Sequence, residues 1–128
     1  MIEIKNITSR YKGAKTDSLK DFSLKINEGE TILLCGASGS GKTSVIRLIN
    51  GLIPHYYNCE INGEVLVNDK RVNEVELCDL AGVVGTVFQN PRSQFFSVDT
   101  DGEIVFGPEN IGLNPDEIRK RKDFIVKK

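Results

Sequence analysis

The sequence contains few of the residues from which a metal centre, a disulfide framework or a membrane span could be built. It has one histidine, His55, and three cysteines, no two of which form a C-x-x-C pair. Isolated ligands of this kind do not predict a metal site, and an odd number of widely spaced cysteines predicts free thiols. No stretch approaches the ~20 apolar residues of a membrane-spanning helix, and the alternating start, residues 1–5, lacks the apolar core of a signal peptide. We therefore expect a cytoplasmic chain.

The chain also lacks an excess of charge of either sign. It carries 17 basic and 18 acidic residues, for a formal net charge of −1. The basic run at residues 119–122 has acidic neighbours at Asp116, Glu117 and Asp123, a pattern typical of a solvated helix face. A broad attraction to nucleic acid is therefore not predicted. With 128 residues, the chain has the size of one domain.

What the sequence does contain is a phosphate-binding loop. The run from Gly36 to Thr43 satisfies G-x-x-x-x-G-K-[ST], and it lies between an apolar segment and a helical pattern. Its glycines allow backbone N–H groups to approach phosphate oxygens, and the following helix N-terminus favours an anion. We expect Lys42 to contact the β and γ phosphates and Thr43 to coordinate Mg²⁺. The predicted phosphate-binding residues of the loop are Gly36, Ser38, Gly39, Ser40, Gly41, Lys42 and Thr43, with Ser38 acting mainly through its backbone N–H.

Hydrophobic patterning around the loop predicts an α/β domain. Residues 31–35 and 83–88 are largely apolar, which predicts two central parallel strands. Residues 1–26 instead alternate apolar and polar side chains, which predicts two strands of an antiparallel arm. One helix follows the loop, and another is predicted to begin at the Asn114-Pro115 cap. The predicted fold class is α/β, with a P-loop core, a mixed sheet and an antiparallel N-terminal arm.

One aromatic and one polar residue become candidate site residues once the loop is identified. Tyr11 lies in the arm upstream of the loop, where its ring could stack on a nucleotide base. Gln89 follows a predicted buried strand, where its amide could reach Mg²⁺ or a water at the γ-phosphate. Taken alone, Tyr11 is as compatible with a structural role, and Gln89 with an ordinary polar loop residue. The order of arm, loop and Gln89 favours the functional interpretation of both.

Together these features resemble the ATP-binding subunit of ABC transporters. The resemblance implies that Tyr11 is the A-loop aromatic residue, that residues 36–43 are the Walker A motif and that Gln89 is the Q-loop glutamine. It also implies that Ser44 hydrogen-bonds the α-phosphate, and that the cofactors are ATP and Mg²⁺. The implied catalytic and metal-binding residues are Lys42, Thr43 and Gln89.

One branch of this family resembles the chain more closely. Residues 50–57, 87–96 and 101–110 are similar to the ATPases of energy-coupling factor importers, which include those for vitamin precursors and cobalt. This resemblance implies an ATPase that drives uptake of a small nutrient. It also implies a second ATP-binding subunit, identical or different, and transmembrane partner subunits at the cytoplasmic face of the membrane.

The chain departs from the family after these motifs. It contains no LSGGQ-type signature, no apolar strand that ends in Asp-Glu and no switch histidine. Residues 1–128 therefore resemble the N-terminal part of an ABC-type ATP-binding domain. We expect this part alone to be inactive as an ATPase.

Other P-loop proteins remain as alternatives. Residues 99–102 fit D-x-x-G, a motif that contacts the γ-phosphate in P-loop GTPases, but no N-K-x-D base-recognition motif occurs. Small-molecule kinases share the loop and would not explain an arm that carries Tyr11. A non-catalytic, truncated nucleotide-binding fragment is the alternative from another functional class.

Overall fold

The computed structural model describes residues 1–127, and these divide into two compact units. The first unit is Met1–Gly85, and the second begins at Thr86. Within residues 1–127, no helix combines the length and the apolar character that crossing a bilayer requires.

The first unit is built on a four-stranded antiparallel sheet. Its strands are β1 (Ile2–Tyr11), β2 (Leu19–Ile26), β3 (Cys59–Val67) and β4 (Lys70–Arg71), in the order β2-β1-β3-β4. All three strand pairs are antiparallel. The predicted N-terminal arm is therefore confirmed as β1 and β2, and β3 extends it.

A bulge in β1 explains the irregular spacing of its apolar residues. Ile4 and Ile7 are both buried although three positions separate them, and the pairing register of β1 shifts between them. Asn6, inside the shift, has a left-handed φ of 49°. Opposite the bulge, a Cβ on Gly63 would lie 2.5 Å from the Lys5 carbonyl oxygen, so the strands approach closely enough to require glycine.

Helices of the first unit pack on one face of this sheet. They are α1 (Lys42–Ile49), α2 (Leu52–His55), a 3₁₀ turn at Val72–Glu74 and α3 (Leu77–Ala81). Apolar residues of α1 recur at helical spacing and join the buried side chains of the sheet, and burial of each such side chain contributes about 1.5–3 kcal/mol. The core of this unit contains Ile4, Ile7, Leu19, Val45, Leu48, Ile49, Ile53, Val65, Val67, Val72 and Leu80.

The prediction of central parallel strands at residues 31–35 and 83–88 is wrong for this structure. Among residues 1–127, neither segment pairs with a strand, and Leu33 and Val87 are 86% and 83% exposed. Apolar runs become central strands only when neighbouring strands and covering helices surround them, and every described strand pair lies within the antiparallel sheet β2-β1-β3-β4. The α/β class and the antiparallel arm are confirmed, whereas the described sheet is antiparallel rather than mixed.

The second unit is helical. After a 3₁₀ turn at Pro91–Gln94 it contains α4 (Thr100–Asn110) and α5 (Pro115–Val126). The predicted cap of α5 is confirmed, because the Asn114 side chain accepts a hydrogen bond from the Asp116 N–H at 2.9 Å. Helix α4 was not predicted from the sequence. Within this unit, Lys122 on α5 forms an ion pair with Asp101 on α4 at 3.2 Å.

Candidate phosphate-binding site

The glycine-rich loop is anchored on the arm at its last glycine. Gly41 is the N-cap of α1 and has a left-handed φ of 89°. A Cβ at this position would lie 2.5 Å from the Ser18 carbonyl oxygen and 2.8 Å from the Leu19 side chain. Glycine is therefore required both by the backbone conformation and by the close approach of the chain that enters β2. The beginning of α1 is fixed against the arm as a result.

Lys42 is bound by the loop itself. Its Nζ donates to the carbonyl oxygens of Gly36 at 2.7 Å and Ala37 at 2.6 Å, and to Ser40 Oγ at 3.2 Å. These contacts fold the side chain back over the loop. A phosphate oxygen that replaced one of these neutral acceptors would form a charge-assisted hydrogen bond, which is the stronger kind. The ammonium group thus lies where an anion on the loop would meet it.

The first turn of α1 suits an anion. It contains no acidic side chain that would repel an anion from the positive end of the helix dipole. Thr43 is exposed in this turn, and its hydroxyl can take a ligand. Ser44 is buried at 5% exposure, with its Oγ 3.1 Å from the Tyr11 hydroxyl oxygen. The helix therefore offers one exposed hydroxyl and one that is tied to the arm.

Tyr11 ends β1 and is held at its hydroxyl. In addition to the contact with Ser44, its oxygen accepts a hydrogen bond from Arg47 Nη1 at 3.1 Å. The Tyr11 ring meets the Tyr57 ring edge-to-face, with centroids 6.3 Å apart. The Arg47 guanidinium carbon lies 4.0 Å from the Tyr57 ring centroid. Three segments of the chain therefore converge on Tyr11.

A cavity of about 240 Å³ brings most of the predicted site together. It is lined by Tyr11, Ser18, residues 39–44 and Arg47. Gly36 and Ser38 belong to the same loop but do not line this cavity, although Gly36 contributes through its carbonyl to Lys42. Arg47 and Ser18 were not predicted. Arg47 could have been suspected because it lies four residues after Thr43 and therefore on the same helical face.

The groups around this cavity suit a hydrated divalent cation that arrives with phosphate. No cluster of three or more His, Cys, Asp or Glu side chains occurs in the part of the chain that is described. Mg²⁺ is commonly held by one or two protein oxygens together with substrate phosphates rather than by a protein cage. The exposed Thr43 hydroxyl provides one such oxygen, so the donor set fits Mg²⁺ and phosphate together.

Gln89 lies in the second unit, at a bend, and its side chain is exposed. Its predicted role in metal binding and catalysis stays a prediction. The backbone just before it is held by Gln94, a residue that was not predicted from the sequence. Gln94 Nε2 donates to the Thr86 carbonyl at 3.1 Å, and its Oε1 accepts from the Phe88 N–H at 3.0 Å. A primary amide can replace a neighbouring strand in this way, because it carries both a donor and an acceptor.

The D-x-x-G motif at residues 99–102 has a structural explanation. Asp99 is the N-cap of α4, and its Oδ1 accepts a hydrogen bond from the Gly102 N–H at 2.7 Å. Asp101 pairs with Lys122. Both aspartates thus lie at the start of a helix. The motif therefore gives no support to the GTPase alternative.

Comparisons with known proteins agree on one family. A family model described as ABC transporter matches residues 19–123. A putative ABC transporter ATP-binding protein of Treponema denticola is 51% identical over 126 residues, which are 98% of this chain and 26% of that protein. A second, from Pyrococcus abyssi, is 38% identical over 127 residues, which are 99% of this chain and 45% of that protein.

Solved structures give the same result. The structure of cbiO1 from Clostridium perfringens, part of the ABC transporter complex cbiONQ, matches with a TM-score of 0.81 and 29% identity. That match covers 98% of this chain and 49% of cbiO1. The ATP-binding cassette MJ0796, a dimer in a post-hydrolysis state bound to ADP and Pi, matches with a TM-score of 0.73 and 26% identity, over 99% of this chain and 56% of its own.

This chain thus spans about a quarter of the Treponema relative and about half of cbiO1. The family match covers most of its residues, and the relatives align along almost its whole length. Members of the family bind ATP. The chain belongs to the ABC transporter family and carries the N-terminal part of its ATP-binding domain.

Proposed function

We propose that the chain provides the nucleotide-binding part of the ATPase subunit of an energy-coupling factor importer. Such a subunit couples binding and hydrolysis of ATP to uptake of a small nutrient. The observation that carries the proposal is the shared cavity of Tyr11, Lys42 and Thr43 at the start of α1. The likeness to cbiO1, which is part of the complex cbiONQ, supports this branch of the family, as does the similarity of residues 87–96.

In this proposal each residue of the site has a separate task. The loop from Gly36 to Gly41 surrounds the phosphates with backbone N–H groups, and Lys42 leaves the Gly36 and Ala37 carbonyls for the β and γ phosphates. Bound Mg²⁺ would neutralise charge that develops on the phosphates, and Thr43 holds it. The residues assigned to the nucleotide are completed by Ser38, Gly39 and Ser40 in the loop, Ser44 at the α-phosphate, Tyr11 at the adenine and Gln89 at the γ-phosphate side.

Turnover needs more than these residues supply. Hydrolysis requires stabilisation of charge on the γ-phosphate and a group that polarises the attacking water. Asp99 and Asp101 are occupied by the cap and the ion pair of α4. We propose that the catalytic carboxylate and the second half-site come from parts of the complete subunit outside residues 1–128, and from a second ATP-binding subunit.

The proposed transmembrane partner would contact residues 90–98. This segment exposes large apolar side chains, with Phe95 64%, Phe96 75% and Val98 102% exposed. Exposed apolar clusters of this kind mark interaction surfaces. Contact with a membrane-embedded partner would hold the chain at the cytoplasmic face of the membrane.

Two measurements test the proposal. Purified 128-residue chain should release phosphate from Mg·ATP no faster than buffer does. Steady release that Lys42→Ala abolishes would mean that the catalytic carboxylate lies within the chain.

For the partner, p-benzoylphenylalanine in place of Ser93 should cross-link to a co-expressed importer membrane subunit, whereas the same probe in place of Thr16, exposed in the arm's turn, should not. Equal labelling from both positions would contradict the proposed surface.

A further inference from the structure

We propose that Arg47 is a positioning residue that fixes the Tyr11 ring for the base of a bound nucleotide, with Tyr57 as its support. The inference rests on the proposed nucleotide-binding function. It adds a determinant of base recognition that lies on α1, in the helix that follows the phosphate loop.

The three side chains come from three separate segments. Arg47 is on α1, Tyr11 ends β1, and Tyr57 precedes β3. Arg47 Nη1 donates to the Tyr11 hydroxyl at 3.1 Å, while its guanidinium carbon is 4.0 Å from the Tyr57 ring centroid and 5.9 Å from that of Tyr11. The two rings meet at 90°. Each side chain of the cluster therefore touches both of the others.

Stacking on Tyr57 restricts the guanidinium group. A cation over an aromatic face is attracted by the ring quadrupole, and the planar guanidinium gains most from this geometry. Tyr57 is itself packed edge-to-face against Tyr56, with centroids 5.0 Å apart. Arg47 therefore presents its Nη1 donor from a supported position, and the Tyr11 hydroxyl receives a bond with a defined direction.

Arg47 also determines which atoms donate and which accept in the hydrogen bonds of the Tyr11 hydroxyl. A guanidinium only donates, so the Tyr11 oxygen is the acceptor toward Arg47 and its own hydrogen is free to point to Ser44 Oγ. The Tyr11 hydroxyl is therefore bonded on two sides, by Arg47 and by Ser44, and all three residues line the cavity.

The consequence is a preorganised aromatic ring. Tyr11 is only half buried, so without Arg47 its ring would depend on the Ser44 bond and on the edge contact with Tyr57. Fixing a side chain before the ligand arrives reduces the entropy cost of binding. Arg47 should thus raise affinity for ligands that carry a base, and leave unchanged the affinity for a bare phosphate chain.

Calorimetric titration of the 128-residue chain with Mg·ATP and, separately, with magnesium tripolyphosphate tests this. The wild-type chain measures the proposed function: binding of neither ligand would overturn that function and this inference with it. Arg47→Ala should weaken ATP by about three- to tenfold, the loss typical of one hydrogen bond, and leave tripolyphosphate affinity unchanged. Arg47→Lys, which keeps the charge and loses the planar fork, should behave like Arg47→Ala.

The double variant distinguishes positioning from a general effect on the fold. In a Tyr11→Ala background, Arg47→Ala should cause no further loss of ATP affinity, because Arg47 acts through Tyr11. Circular dichroism of each variant checks that the fold is retained, and Arg47→Lys keeps the test valid if Arg47→Ala unfolds. Equal losses for ATP and tripolyphosphate, or additive losses in the double variant, would overturn the inference.

Discussion

The Nζ atom of Lys42 lies 2.6 Å from the carbonyl oxygen of Ala37, so the loop's own backbone binds the cation that should bind phosphate. The same atom also contacts the Gly36 carbonyl and Ser40 Oγ. Binding of a nucleotide therefore exchanges neutral acceptors for charged ones at a preformed donor. Because the lysine already lies over the loop, little rearrangement is required of the side chain when an anion arrives.

Substitution of Thr43 should separate metal binding from nucleotide binding. Thr43→Ala removes the exposed hydroxyl of the first turn of α1 and leaves Lys42 and the loop in place. We expect ATP affinity to stop responding to Mg²⁺, while affinity measured in excess chelator matches that of the wild-type chain. Thr16→Ala, exposed in the turn of the arm, is the control and should retain the Mg²⁺ response. A Mg²⁺ response that survives in Thr43→Ala would contradict the assignment.

Replacement of Gly41 should destabilise the first unit more than replacement of another left-handed glycine. Gly29 has a φ of 77° with open space around it, whereas a Cβ at Gly41 would meet Ser18 and Leu19. Positive φ alone costs an L-residue about 1–2 kcal/mol, and overpacking adds about 1–3 kcal/mol. Urea unfolding of Gly41→Ala and Gly29→Ala should therefore give clearly different losses of stability. Equal losses would show that the close approach to Ser18 is absent in solution.

The three cysteines should react with alkylating reagents at different rates. Cys35 and Cys78 are exposed, whereas burial raises the pKa of the Cys59 thiol and so lowers its thiolate fraction. Mass spectrometry at about pH 8 should find Cys35 and Cys78 modified first, and Cys59 should accelerate as the pH rises. Mg·ATP should slow only Cys35, which adjoins Gly36. Protection of Cys78 to the same degree would indicate a general change of conformation instead.

Gln94 should hold the backbone just before Gln89 in a fixed conformation. Gln94→Glu keeps the size of the side chain and its acceptor oxygen but loses the N–H that donates to the Thr86 carbonyl. The carboxylate oxygen in its place would be repelled by the Thr86 carbonyl oxygen. Gln94→Ala removes both the donor and the acceptor. Amide hydrogen exchange at Phe88, whose N–H bonds Gln94 Oε1, should accelerate strongly in Gln94→Ala. Arg92→Ala, from the same 3₁₀ turn, is the control. Unchanged Phe88 exchange in Gln94→Ala would exclude this role.

Local sequence signals predicted those elements that depend on local chemistry. The alternation in residues 1–26, the loop glycines and the Asn114 cap each act over a few residues, and β1, β2, α1 and α5 form as expected. The prediction of strands at residues 31–35 and 83–88 failed because a central strand depends on distant neighbours that composition does not reveal. The helix α4 was missed because its capping aspartate fits a loop motif equally well.

In the site, the sequence predicted the residues that belong to motifs and missed those that support them. Lys42, Thr43 and Tyr11, which the sequence predicts as site residues, line one cavity, and their binding roles stay predictions. Arg47 was missed because its hydrogen-bond partner, the Tyr11 hydroxyl, is distant in sequence. Gln94 was missed because it binds backbone atoms that form no regular pattern. Helical spacing could have suggested Arg47, but the contacts that these two residues make become visible only in the folded chain.

The loop at residues 36–43 should bind a nucleotide through Lys42, and titration of the chain with a fluorescent ATP analogue in the presence of Mg²⁺ tests this most directly. Wild-type chain should bind saturably, and Lys42→Ala should lose about 1.5–3 kcal/mol of binding free energy, the range for a hydrogen bond to a charged group. Lys70→Ala, exposed on β4 outside the cavity lining, should bind like the wild type. Equal affinity of the wild-type and Lys42→Ala chains would contradict nucleotide binding through Lys42.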